Sequence, residues 1–144
     1  KHMQEQKLAM QQAAAGTGVQ VSQTNDNQLK IDIPSDVSFA TGRYDIKPEM
    51  RPVLDRLAAQ LNQYPVTTVT IVGHTDNTGS DAVNNPLSVN RAAATRDYLV
   101  ARGVSASRIA IDGRGSSQPI ADNATVAGRA KNRRVEIFIA EPAK

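Results

Sequence analysis

Between Thr68 and Ile111 the chain reads as strand, long helix, strand, and this order constrains the fold more than any other feature. Val69 and Ile71 alternate with Thr68 and Thr70, a β-branched run suited to a strand. Asn85 and Pro86 are residue types that cap and open a helix, and Gly103 is the type that ends one in a left-handed turn. Leu87, Ala92, Ala93, Ala94, Tyr98 and Leu99 lie between them. Ile109 and Ile111 then form a short strand bounded by Gly113 and Gly115. A helix between two strands implies a crossover connection, and a crossover implies parallel pairing.

The flanking segments add antiparallel pairing. Val19 and Val21 alternate with polar neighbours, as do Leu29, Ile31 and Ile33, and the two runs flank the turn-forming Asn25-Asp26-Asn27. They predict a β-hairpin over 17–34, closed by Pro34. Residues 35–46 show no clear period. Met50, Val53, Leu54, Leu57 and Leu61 recur at helical spacing. Pro48 suits a first turn, whereas Pro52 does not suit a helix interior, so this helix is expected to start late or with a distorted first turn. Pro65 ends it. Residues 114–128, with Pro119 and Gly128, read as a long loop. Val135, Ile137 and Ile139 alternate with Arg134, Glu136 and Phe138 in a last strand. The fold class is therefore α+β: a single mixed β-sheet packed by helices, with an N-terminal hairpin.

The start of the chain reads differently. Lys1-His2-Met3 looks like a cloning remnant, so the natural start is expected to lie upstream. Residues 4–15 are rich in Gln and Ala and predict a frayed helix or a solvated linker. Residues 1–16 are thus separated from a domain over 17–144. At 144 residues the chain can bury a substantial core.

Composition excludes several functions. Aromatics make up 3% with no tryptophan, which leaves little for base-stacking platforms. Arg43, Arg51, Arg91, Arg133 and Arg134 are scattered among acids, so no nucleic-acid partner is expected. Without cysteine there is neither a disulfide nor a thiolate zinc site. No apolar run approaches the roughly 20 residues of a membrane helix.

Chemistry concentrates where the strand meets the long helix. Asp76 follows the strand in Gly73-His74-Thr75-Asp76, and Arg91 falls near the predicted helix start. Both side chains can converge at the strand's C-terminal end, where ligands bind in open α/β sheets. An acid and a guanidinium held there form a clamp for a zwitterion, the acid taking an ammonium and the arginine a carboxylate through two parallel bonds. Helix N–H groups would add positive character. The rival reading is an Asp76–Arg91 salt bridge that holds the loop. Metal is not expected, because His74 is the domain's lone histidine and Asp81 the nearest extra carboxylate. Ser80 or Ser88 with His74 and Asp76 makes a triad by composition only, and no nucleophile turn surrounds either serine. No enzyme activity and no cofactor are expected. Arg133 and Arg134 are neighbours in a strand and point to opposite faces, so one reaches a ligand or an acid while the other meets solvent.

The spacing of Gly73, Arg91, Gly103, Arg108, Gly113, Pro119, Gly128 and Asn132-Arg133-Arg134-Val135 closely resembles the OmpA-like peptidoglycan-binding domain over about residues 37–140. The Gln-rich start and hairpin further resemble the YiaD-type subgroup of outer-membrane lipoproteins. The resemblance implies non-enzymatic binding to the diaminopimelate residue of the peptidoglycan stem peptide. It implies a periplasmic domain of a Gram-negative lipoprotein, tied to the outer membrane by an upstream lipid anchor. An assembly module of a stator-like or secretion complex is the alternative. Asp76 then takes the ligand's ammonium, Arg91 its carboxylate, and Arg133 supports the same pocket. Thr75, Asn84 and Leu87 match positions beside the acid and at the binding helix. Phe39, Thr41 and Gly42 match a loop closing the far side, although many relatives carry Asn or Ser where Gly42 stands.

Overall fold

The structure is a computed structural model that describes residues 2–40 and 42–141. Helix α1 (His2–Ala14) precedes strands β1 (Gln20–Gln23) and β2 (Leu29–Pro34). One helical turn, α2 (Ser35–Ser38), leads through a loop to a 3-10 turn at Pro48–Met50 and helix α3 (Arg51–Gln63). Strand β3 (Thr68–His74), helix α4 (Asp81–Ala101) and strand β4 (Ile109–Gly113) follow, then helix α5 (Val126–Asn132) and strand β5 (Arg134–Ala140).

The strands form one mixed sheet in the order β1-β2-β5-β3-β4. The β3–β4 pair is parallel, as the intervening helix requires, and the other three pairs are antiparallel. Register stacks the apolar residues into rows across the sheet. One row runs Val21, Ile31, Ile137, Ile71, Ile111, and the next runs Leu29, Ile139, Val69, Ile109. Val53, Leu54, Leu57 and Leu61 of α3 and Ala92 and Leu99 of α4 join them in one core.

A third row consists of Ile33, Val135, Gly73 and Gly113. Its two glycines lie under α4. A Cβ on Gly73 would stand 2.1 Å from the Ser88 carbonyl oxygen, and one on Gly113 would stand 2.6 Å from the Val89 nitrogen. Their missing side chains set how deeply α4 sits on the sheet, and hence where Asn84, Leu87 and Arg91 point.

Several sequence expectations need correction. Helix α4 begins at Asp81, with the Val83 and Asn84 N–H groups bonded to the Ser80 carbonyl, so Asn85 is not its cap. Pro86 lies inside the helix and cannot donate to the Ala82 carbonyl. Arg91 is therefore about three turns into α4, away from the positive character of its N-terminus. The long loop also ends earlier than expected. Thr125 caps α5 by accepting from the Gly128 N–H, which places Gly128 inside a helix. The Gln-rich start is packed rather than solvated, with Met3, Gln6, Met10 and Ala14 buried as α1 lies against α3 and β1. For α3 the late start holds, since it opens after the 3-10 turn with Pro52 in its first turn.

Candidate functional site

Beyond β3 the chain turns away from the sheet and buries Thr75 and Asp76. The Thr75 N–H donates to the Gly115 carbonyl at 2.8 Å, and its hydroxyl donates to the Asp76 carbonyl at 2.9 Å. Asn84 of α4 donates its side-chain amide to the Thr78 carbonyl at 2.9 Å and reaches the Asp76 carbonyl at 3.4 Å. These bonds hold the loop, so Thr75 and Asn84 act on Asp76 through its backbone. The Asp76 carboxylate accepts from the Thr78 N–H at 2.8 Å and from Arg133 Nη1 at 2.6 Å. Burial favours its neutral form, but these bonds outweigh burial and hold its pKa below the ordinary aspartate value.

Arg91 lines the same cavity. Its Nε donates to the Arg43 carbonyl at 2.9 Å and its Nη2 to the Ala40 carbonyl at 3.4 Å. The guanidinium lies over the Phe39 ring, 5.0 Å from the centroid. The residue is 5% exposed, and burial lowers its pKa. Among the described residues no carboxylate is within ion-pair distance of it, so the expected rival, an Asp76–Arg91 salt bridge, is absent. Asp76 pairs with Arg133 instead.

These groups line one cavity of about 710 Å³, together with Leu87 and Gly42. At φ +70° Gly42 is in the left-handed region, and the space beyond its Cα is open. Asparagine tolerates that conformation better than most residues, and a Cβ there would meet no neighbour within 4 Å. Thr41 lies outside the described residues. A groove of about 730 Å³ beside Tyr44 and Tyr98 has exposed acids, Asp45 and Asp97, on its walls and no buried opposed charges. The smaller cavity therefore holds the chemistry.

The cavity also contains groups not singled out in the sequence. Asp36, Lys47, Val83 and Arg129 line it. Asp36 takes the Nε–Nη2 edge of Arg133 in a two-bond fork, at 2.9 and 2.8 Å. It belongs to the stretch without periodicity, so spacing carried no signal for it.

On the other face of the sheet Arg134 corrects an expectation. It does reach an acidic neighbour, but it is buried rather than solvated, donating to Glu136 at 3.1 Å and to the Gln118 carbonyl at 3.0 Å. Glu136 also accepts from His74 Nε2 at 2.7 Å and pairs with Lys30 at 3.2 Å. His74 thus points away from α4, whereas the Ser88 hydroxyl is on the α4 side, donating to the Asn85 carbonyl and accepting from the Gly115 N–H. The two do not meet as a triad would require.

Burial disfavours the Glu136 carboxylate, but the His74 hydrogen bond and the Arg134 charge outweigh it and hold the pKa at about 2, against an ordinary 4.5. A depressed carboxyl stabilises the fold fully above its unfolded value and loses that contribution as pH falls through its folded value. Asp32, opposite Glu136 in the ladder, is raised by burial and by Glu136, and acts in the opposite sense. Stability to urea should fall between about pH 5 and pH 2, and Glu136→Gln should flatten that slope. Equal slopes in the two proteins would refute the assignment.

Comparison with known proteins adds the family. The profile of the OmpA family matches residues 38–133, more than half of the chain. The chain belongs to the OmpA family. The OmpA-family match runs from just before Phe39 to Arg133, so it includes Asp76, Arg91 and Arg133 of the cavity but stops short of Asp36. This OmpA-family chain is 38% identical over 138 residues to the probable lipoprotein YiaD of Escherichia coli K12, covering 96% of this chain and 63% of that protein. It is 50% identical over 103 residues to the peptidoglycan-binding protein ArfA of Mycobacterium tuberculosis, covering 72% of this chain and 32% of that protein. The chain thus spans less than two thirds of each of these curated relatives. Among solved structures, the cell wall anchor of the T6SS from Pseudomonas aeruginosa matches with a TM-score of 0.82 at 31% identity, covering 94% of this chain and 96% of that chain. Among the described residues no helix is long and apolar enough to cross a membrane.

Proposed function

We propose that this domain binds peptidoglycan non-covalently, through the diaminopimelate residue of the stem peptide. The observation that carries the reading is one cavity lined by both a buried carboxylate, Asp76, and a buried guanidinium, Arg91, the two not paired with each other. An amino-acid carbon presents an ammonium and a carboxylate together and satisfies both charges. Asp76 repels simple anions that a lone arginine would accept. Phe39, Leu87 and the Gly42 loop surround the ligand, while Thr75, Asn84 and Arg133 hold the acid in place. No bond is broken, so no nucleophile is needed.

In this reading the domain is periplasmic and ties the outer membrane of a Gram-negative cell to its wall, with the lipid anchor in an upstream segment. The names of the relatives YiaD and ArfA support the envelope and the wall as its setting. The likeness to a T6SS cell wall anchor favours a second reading, a wall-binding module of a secretion or stator-like assembly. The upstream sequence separates the two, since a lipidated cysteine marks the first and a transmembrane helix the second.

Sedimentation with purified sacculi tests the reading. The domain should pellet with the wall, and free diaminopimelate should release it while sulfate at equal ionic strength should not. A domain that stays in the supernatant, or that both solutes release equally, would refute it.

A further inference from the structure

We infer that Asp36 is a positioning residue for the ligand's ammonium: by gripping the fork of Arg133, it keeps Asp76 available. The inference rests on the proposed reading of the cavity and adds a residue that lies outside the OmpA-family match.

A planar guanidinium offers carboxylates two edges, each able to give two parallel bonds. In this structure Asp36 occupies the Nε–Nη2 edge of Arg133, and Nη1 alone reaches Asp76. Asp76 Oδ1 takes the Thr78 N–H, Oδ2 takes Arg133 Nη1, and the Thr78 hydroxyl also bonds the carboxylate, which uses three of its roughly four acceptor sites. The carboxylate therefore keeps acceptor capacity for an incoming ammonium. Asp36 also offsets the charge of Arg133, which would otherwise repel that ammonium. Without Asp36 the guanidinium can turn its second edge to Asp76, close a two-bond pair and compete directly with the ligand. Asp36 sits on α2, whose neighbour β2 pairs with β5, and its side chain is 54% exposed. It thus makes little contribution to the core. The hydrogen bonds from Arg133 also keep its pKa below the ordinary value.

The test compares two ligands by calorimetry: diaminopimelate, and pimelate, the same seven-carbon diacid without its amines. Asp36→Asn should weaken diaminopimelate roughly tenfold, the scale of one altered charge contact. Pimelate should not weaken, because it presents no ammonium and the substitution removes a negative charge. A merely structural role would lower both affinities together, and that result would overturn the inference. Unchanged affinity for diaminopimelate would overturn it as well, while leaving the proposed function standing. If the unsubstituted protein binds neither ligand, the proposed function fails and the inference falls with it.

Discussion

Arg91→Ala is expected to abolish binding to sacculi and to weaken diaminopimelate at least thirtyfold. Truncating one partner of a desolvated charged contact costs roughly 2–5 kcal/mol, about thirtyfold to several thousandfold in affinity. The upper part of that range applies if the ligand carboxylate is left in the cavity without its guanidinium. The fold should survive, because among the described residues the Arg91 head group hydrogen-bonds the Ala40 and Arg43 carbonyls of a surface loop. Thermal unfolding and calorimetry on the same sample separate the two effects. Arg91→Lys keeps the charge but not the fork, and should recover only part of the affinity. Binding within threefold of the unsubstituted protein after Arg91→Ala would remove the arginine from the site.

Gly73→Ala should produce a large loss of stability from a small change. Its Cβ would lie 2.1 Å from the Ser88 carbonyl oxygen, so the neighbour that must move is helix backbone. A flexible side chain could rotate away, but α4 must lift from the sheet. Overpacking commonly costs about 1–3 kcal/mol, and a backbone clash belongs at or above that limit. A loss of about 3 kcal/mol corresponds to a fall in Tm of roughly 10 °C for a chain of this size. Lifting α4 also displaces Asn84, Leu87 and Arg91, so affinity should fall without any change to the cavity's residue types. A variant as stable as the unsubstituted protein would show that α4 does not depend on the glycine row for its depth.

The strands were legible in the sequence because each buries one face, and one-sided burial leaves an alternating pattern. Val69 and Ile71, or Ile137 and Ile139, declare themselves in this way. Elements held by polar or small residues did not. Helix α5 buries Gly128 and Asn132, and Asn132 binds the backbone of Ile120 and Ala121. No apolar period marks such a helix. Helix α1 turns Met3, Gln6, Met10 and Ala14 inward, a weak stripe that composition hides. Pro86 misled the reading of α4, because proline fits a first turn best yet here sits within the helix at the loss of one backbone bond. One of Arg133 and Arg134 was expected in solvent, yet both reach acids, because alternation reports the face and not what covers it. The covering segment supplies the Gln118 carbonyl.

The sequence by itself determined the order of the five strands and of the two longer helices between them, α3 and α4, the parallel crossover, and the presence of an acid and a guanidinium at the strand-to-helix connection. Those follow from local periodicity and from residue type. Only the tertiary structure decided which charge pairs with which. Pairing depends on distances of a few ångström, set here by the depth of α4 on Gly73 and Gly113 and by the register of β5 beside β3. That geometry gives Asp76 to Arg133, brings in Asp36 from a stretch with no pattern of its own, and leaves Arg91 in the same cavity with no carboxylate partner among the described residues.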